Sequence, residues 1–328
     1  MGVAADHRHY KWWALSCTSA GMLLATLNSG TLIIALPDLE RSLHTSLLSL
    51  VWVILAYLIA STVLVVAAGR VSDLFGRKRA YVLGFVVFTI ASLGAGFAAD
   101  GTQLMLWRIA QGIGGAFLFA NSSAIVADAF PRAELGLAMG TNTMVAAVGL
   151  VVGPVLGGVL VSLSWHWVFW FNVPLGLLAS FWAARILHEL DRERELRSLD
   201  LPGTALFVTG LTGLVLGVSK GGLSGWTDPV VLVGLLSAVV LLPLFVVVEM
   251  RATAPMLDLS IFENPLFAAA TGAAFINGLS RFALMFIFVF YFQGAQGDDP
   301  ITAGIKLAPM AIGMLVSSPL AGIWADRH

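Results

Sequence analysis

Long apolar runs, broken by short clusters of charge, proline and glycine, dominate the chain. They predict ten helical spans, at about 12–36, 47–68, 79–98, 103–128, 135–161, 166–187, 202–219, 229–249, 265–292 and 301–325. Each is near the roughly 20 residues that a helix needs to cross the hydrocarbon core of a bilayer. The runs do not alternate polar and apolar positions, so a membrane barrel does not fit. The fold class expected is all-α, a polytopic membrane helical bundle with about ten transmembrane helices. The first run is too long for the core of a signal peptide and reads as a retained helix.

Composition agrees with the pattern. Of 328 residues, 58% are hydrophobic and 11% charged, against about 25% charged in a soluble domain, which excludes a water-soluble fold. Charge then orients the helices. With the N-terminus cytoplasmic, 13 of the 18 basic residues fall on inner segments and only Arg41 and Lys220 on outer ones. The expected location is the plasma (inner) membrane, with both ends cytoplasmic. A net charge of −1 argues against nucleic acid, and one cysteine with no Cys/His spacing offers neither a disulfide nor a metal site. No cofactor is expected. No paired intramembrane His, Asp or Ser constellation suggests an enzyme.

Four segments carry more specific information. The turn after the second span runs from Gly69 to Arg79. Here Gly69 suits close helix approach, Asp73 can cap a helix or pair with an arginine, and Gly76 permits a tight turn before Arg77. By charge alone this is either an ordinary positive-inside loop or a latch on the inner side. In the fourth span, Arg108, Gln111, Gly115 and Ser122 share a helical face. A buried arginine costs about 2.5–3.5 kcal/mol on insertion scales, so Arg108 either faces a polar interior or snorkels. In the fifth span, Asn142, Gly149 and Gly153 share a face, followed by Pro154, Gly157 and Gly158: a close-packed, bendable helix, or a plain packing seam. In the ninth span, Arg281 with Asn277 one turn earlier offers a second polar point opposite Arg108.

These segments resemble the signatures of the major facilitator superfamily. Gly69–Arg79 is similar to its motif between helices 2 and 3, and Arg108–Ala116 to its R-x-x-Q-G-x-G-x-A pattern. Asp128–Pro131 is similar to its D-x-x-P ending, and Gly149–Gly158 to the exporters' antiporter motif. Leu27–Pro37 resembles the opening motif of the fourteen-span drug:proton antiporters, and Gly322–Arg327 echoes Gly69–Asp73 as an internal repeat. The resemblance implies a six-helix N-terminal half over 1–187, a linker with two inserted helices over 188–264, and the first two helices of a second half over 265–328. Four further helices would be absent. It also implies proton-coupled efflux of small molecules by alternating access, with an inner-gate relay of Asp73, Arg77 and Asp128. The alternative is a non-transporting, incomplete membrane protein. The sequence departs from the pattern at Asn28, where those antiporters commonly carry an aspartate. An amide does not exchange a proton, and no acidic residue lies near the middle of a span. Asn28 is therefore expected to help bind substrate. Two cavity arginines without a central carboxylate favour anionic or neutral substrates over lipophilic cations.

Overall fold

A computed structural model describes residues 7–189, 200–252, 255–298 and 300–327. Helices occupy every segment where the hydropathy pattern predicts a span. They are α1 (His7–Ser42), α2 (Leu47–Phe75), α3 (Arg77–Ala95), α4 (Gly101–Ala129), α5 (Leu135–Leu163), the broken pair α6 (Trp167–Trp170) and α7 (Asn172–Ile186), α8 (Leu201–Ser224), α9 (Pro229–Glu249), α10 (Pro265–Val289) and α11 (Pro300–Arg327). No strand occurs among the described residues. Among the described residues, six of these stretches are long and apolar enough to cross a membrane outright, and α5 makes a seventh if the arms of its 44° bend are taken together. That bend falls around Gly153-Pro154, where a backbone donor is missing.

Local chemistry sets the ends. The side chains of Ser46, Asp100, Asp200 and Asp228 accept the first free backbone N–H groups of α2, α4, α8 and α9. Gly76, at φ +104°, is the sole break between α2 and α3. One expectation is corrected here. Gly69–Phe75 is the last part of α2 rather than a loop, because only Gly76 takes a backbone conformation that a helix cannot hold. The span expected at 166–187 is present as Trp167–Ile186, with Phe171 in helical conformation between α6 and α7. The charged linker expected over His188–Asp200 lies outside the described residues from 190 to 199.

Packing makes α1 and α4 the axis. α1 runs against α5, α4 and α7, while α4 is held between α2 and α3. One core cluster, around Leu39, Leu50, Leu104 and Phe169, fills one end; another, around Leu24, Tyr57, Phe85 and Leu118, fills the middle. α8 and α9 form a hairpin that touches α2 through α8, and α11 packs along α5. The periphery is apolar: Leu236 and Val239 of α9 are 63% and 71% exposed, as on a helix whose solvent is lipid.

Candidate functional site

A buried polar node sits where five helices meet. Arg108 of α4 is 1% exposed. Its Nη1 donates to Gln111 Oε1 one turn along, its Nε donates to Val53 O of α2 at 3.5 Å, and its guanidinium lies 4.3 Å from the Tyr57 ring centre. Gln111 Nε2 in turn donates to Asn28 Oδ1 of α1 at 3.1 Å and to Ser92 Oγ of α3 at 2.7 Å. Asn172 Nδ2 of α7 reaches the same Asn28 oxygen at 3.4 Å. No carboxylate pairs with this arginine among the described residues. Its charge is instead met by neutral dipoles and a π face. Asn28 Nδ2 and the Tyr57 hydroxyl are buried and make no hydrogen bond of good geometry, with Asn28 and Ser29 the polar side chains beside Tyr57.

Glycines explain how such a node closes. A Cβ on Gly112 would meet Ala60 Cβ and Tyr57 O of α2, both at 2.7 Å, and one on Gly114 would meet Phe88 N of α3 at 2.6 Å. The R-x-x-Q-G-x-G spacing thus places the polar pair beside two bare surfaces on which α2 and α3 sit.

Ser122 does not belong to this node, although it shares a helical face with Arg108. It accepts from Asn142 Nδ2 of α5 at 3.2 Å, and Ser19 Oγ of α1 donates to Asn142 Oδ1 at 3.0 Å. The single polar face read from the sequence is corrected to two nodes, because 14 residues of helix put about 21 Å between Arg108 and Ser122.

Gly149, Gly153 and Gly157 form the seam on which α1 lies: added Cβ atoms would meet Thr26 Oγ1 at 2.0 Å, Gly30 Cα at 3.0 Å and Thr31 O at 2.7 Å. Gly158 faces open space and is not part of the seam, and the Pro154 side chain is outside the description. Accordingly, Gly157→Ala should lower stability by about 1–3 kcal/mol, since the obstacle is backbone. Gly158→Ala should stay within about 0.5 kcal/mol. Thermal unfolding in detergent micelles of the two variants measures the difference.

At one end of the bundle, Arg77 opens α3 and joins three helices. Its Nη2 lies 2.9 Å from Asp73 Oδ1 of α2, its Nη1 lies 2.7 Å from Asp128 Oδ2 of α4, and Nη1 also donates to Ala124 O at 3.3 Å. The Asp128 side chain is 10% exposed, that of Asp73 49%. Beside them Asn121 Nδ2 donates to Ser72 Oγ at 2.8 Å. Gly69 is corrected: its nearest neighbour for an added Cβ is Ala120 Cβ at 3.9 Å, an ordinary contact, so no close approach requires it. By contrast Gly322, in the repeat of this segment, would drive a Cβ to 2.1 Å from Gly136 O, which locks α11 against α5.

Asn277 lies exposed on α10 and is not joined to the Arg108 node; the Arg281 side chain is outside the description. The sequence reading missed Tyr57, Ser92 and Asn172. A lone polar residue in an apolar run was the available signal for each.

The sequence profile of the Major Facilitator Superfamily matches residues 18–328. The chain is 33% identical over 95% of its length to the multidrug resistance protein Stp of Mycobacterium tuberculosis, of which it covers 58%. It is 30% identical over 99% of its length to the tetracenomycin C resistance and export protein of Streptomyces glaucescens, of which it covers 60%. To the puromycin resistance protein pur8 of Streptomyces alboniger it is 35% identical over 94%, covering 62%. The chain therefore spans about three-fifths of the length of these relatives. Among solved structures, the proton:xylose symporter XylE aligns with 98% of this chain and 82% of its own at a TM-score of 0.56 and 14% identity, which speaks for the fold alone. The human organic anion transporter MFSD10 aligns with 95% and 86% at a TM-score of 0.51 and 16% identity. With a profile match from Thr18 onward, an all-helical bundle and these neighbours, the chain belongs to the Major Facilitator Superfamily.

Proposed function

We propose that the chain belongs to an exporter that moves small molecules out of the cell by alternating access, with protons as the coupling ion. The observation that carries this reading is the buried node of Arg108, Gln111 and Asn28: a cation with open hydrogen-bond donors beside it, deep in an apolar bundle. The resistance and export functions named for its relatives support the direction of transport.

In this reading residues 1–187 form a complete six-helix half, 188–264 a linker with two inserted helices, and 265–328 the start of a second half. The end bearing Asp73, Arg77 and Asp128 is cytoplasmic, and the lipid is that of the inner membrane. The substrate binds near the Arg108 node. With no carboxylate there among the described residues, anionic or neutral compounds are favoured over lipophilic cations. Uptake into inverted vesicles carrying the full-length protein tests both points. Substrate accumulation should collapse with the pH gradient, and a carboxylate dye should compete better than ethidium. Uptake indifferent to the gradient removes the coupling. A preference for ethidium removes the substrate class, and no uptake at all returns the chain to the alternative of a non-transporting membrane protein.

A further inference from the structure

The α8–α9 hairpin is closed at its two ends by opposite chemistry. At the turn, Lys220 Nζ lies 3.0 Å from Asp228 Oδ1, and this ammonium holds the Asp228 carboxyl below the usual carboxylate range. At the other end two acids meet, Asp200 before α8 and Glu249 as the last residue of α9. Asp200 Oδ1 accepts the Gly203 N–H at 2.9 Å, and Glu249 Oε1 accepts the Leu257 N–H. The remaining oxygens, Asp200 Oδ2 and Glu249 Oε2, are buried and have no hydrogen-bond donor. They converge on Gly203, where an added Cβ would lie 2.0 Å from the first and 2.6 Å from the second. Glu249 as a whole is 3% exposed.

Neither acid has a cation of its own among the described residues. Of the charged groups on the elements around them, Arg251 follows α9 exposed and without an ion pair, and Asp258 is turned to cap Ser260 N. On α2, which touches α8, Asp73 is held by Arg77, while Arg70 Nε and Nη2 donate to no acceptor and so do not serve this pair. Two ionised carboxylates can only accept, so Asp200 Oδ2 and Glu249 Oε2 would face each other, buried and without a donor. A hydrated magnesium ion would bridge them, but it keeps several of its waters, and these oxygens have no accessible surface on which to seat it. A proton needs no room.

We propose that Asp200 and Glu249 share a single proton, forming an acid–carboxylate hydrogen bond that clasps the start of α8 to the end of α9. The pair is a proton-binding site separate from the Arg108 node, and it stands whether or not the chain exports. Because the unfolded chain releases this proton at the ordinary carboxylate range and the clasp does not, the stabilisation is full at acidic pH and is lost as pH rises.

Infrared spectra and thermal unfolding of the chain in lipid nanodiscs test it between about pH 5 and pH 8, where free carboxyls are ionised. The protein should show a carbonyl band of a protonated acid near about pH 6 that fades towards about pH 8, and its Tm should fall by roughly 2–4 °C across the range. Glu249→Gln and Asp200→Asn each retain an amide donor for the other acid, so both should fold, lose the band and flatten the pH dependence. Absence of the band near about pH 6, or an unchanged slope in both variants, overturns the proposal. So does a saturable rise in Tm with magnesium that Glu249→Gln abolishes, which would make the site one for a metal cation.

Discussion

If the proposed export reading holds, Arg108→Ala is expected to reduce export by the full-length protein about 100-fold or more while leaving it inserted and folded. The side chain makes a charge-assisted hydrogen bond to Gln111, a longer one to Val53 O, and a cation–π contact with Tyr57. Bonds to charged groups contribute about 1.5–3 kcal/mol each, and a desolvated cation–π contact about 2 kcal/mol. Removing them leaves Gln111 Oε1 buried without its donor, and Gln111 is the link to Asn28 and Ser92. A factor of 100 corresponds to about 2.7 kcal/mol, less than these contributions together. Arg108→Lys should fall between the two, because an ammonium keeps the charge but cannot lie flat on Tyr57 while serving both oxygens. Transport in inverted vesicles, normalised to protein in the membrane, measures the series. An Arg108→Ala protein that exports at the original rate would show that the arginine merely fills space.

Spans were legible from hydropathy because the apolar runs are what lipid and core both demand. Helix ends were less so. The run Val71–Phe75 reads as a loop through Ser72 and Asp73, yet the helix continues because Asp73 faces Arg77 and Ser72 Oγ returns to Ala68 O at 2.6 Å. Only the positive φ of Gly76 stops it. The residue types of the Arg108 node were visible too, since a buried arginine, glutamine and asparagine stand out among leucines. What helical spacing could not supply was the third dimension. Gln111 meets Asn28 across 83 residues of chain, and Ser122 leaves the Arg108 node through depth along the same face. Tyr57, Ser92 and Asn172 were hidden for a related reason: each is one of several polar residues on its helix, and only the packing of α1, α2, α3, α4 and α7 reveals which of them converge.

Arg77→Ala is the second change with a large expected effect, because it alone severs both arms of the Asp73–Arg77–Asp128 contact, the latch of the proposed exporter. The arms are unequal. Asp73 is half exposed, and a pair of that kind contributes about 0–1 kcal/mol. Asp128 is nearly buried at 2.7 Å from Arg77 Nη1, which also serves Ala124 O, so its arm belongs with charge-assisted bonds of about 1.5–3 kcal/mol. Asp128→Asn should therefore lower transport more than Asp73→Asn, and Arg77→Ala should match or exceed Asp128→Asn, at roughly tenfold to 100-fold. The physical event is release of the end of α2 from α4, which a second signal can follow. Ser72, 1% exposed and bonded to Asn121, becomes a reporter when replaced by cysteine in a Cys17→Ser background. Maleimide labelling at that position should be slow with the latch intact and about tenfold faster with Arg77→Ala, since each 1.4 kcal/mol of lost closure multiplies the open population by ten. Equal labelling rates with unimpaired transport would reduce the Asp73–Arg77–Asp128 contact to an ordinary ion pair at a helix end.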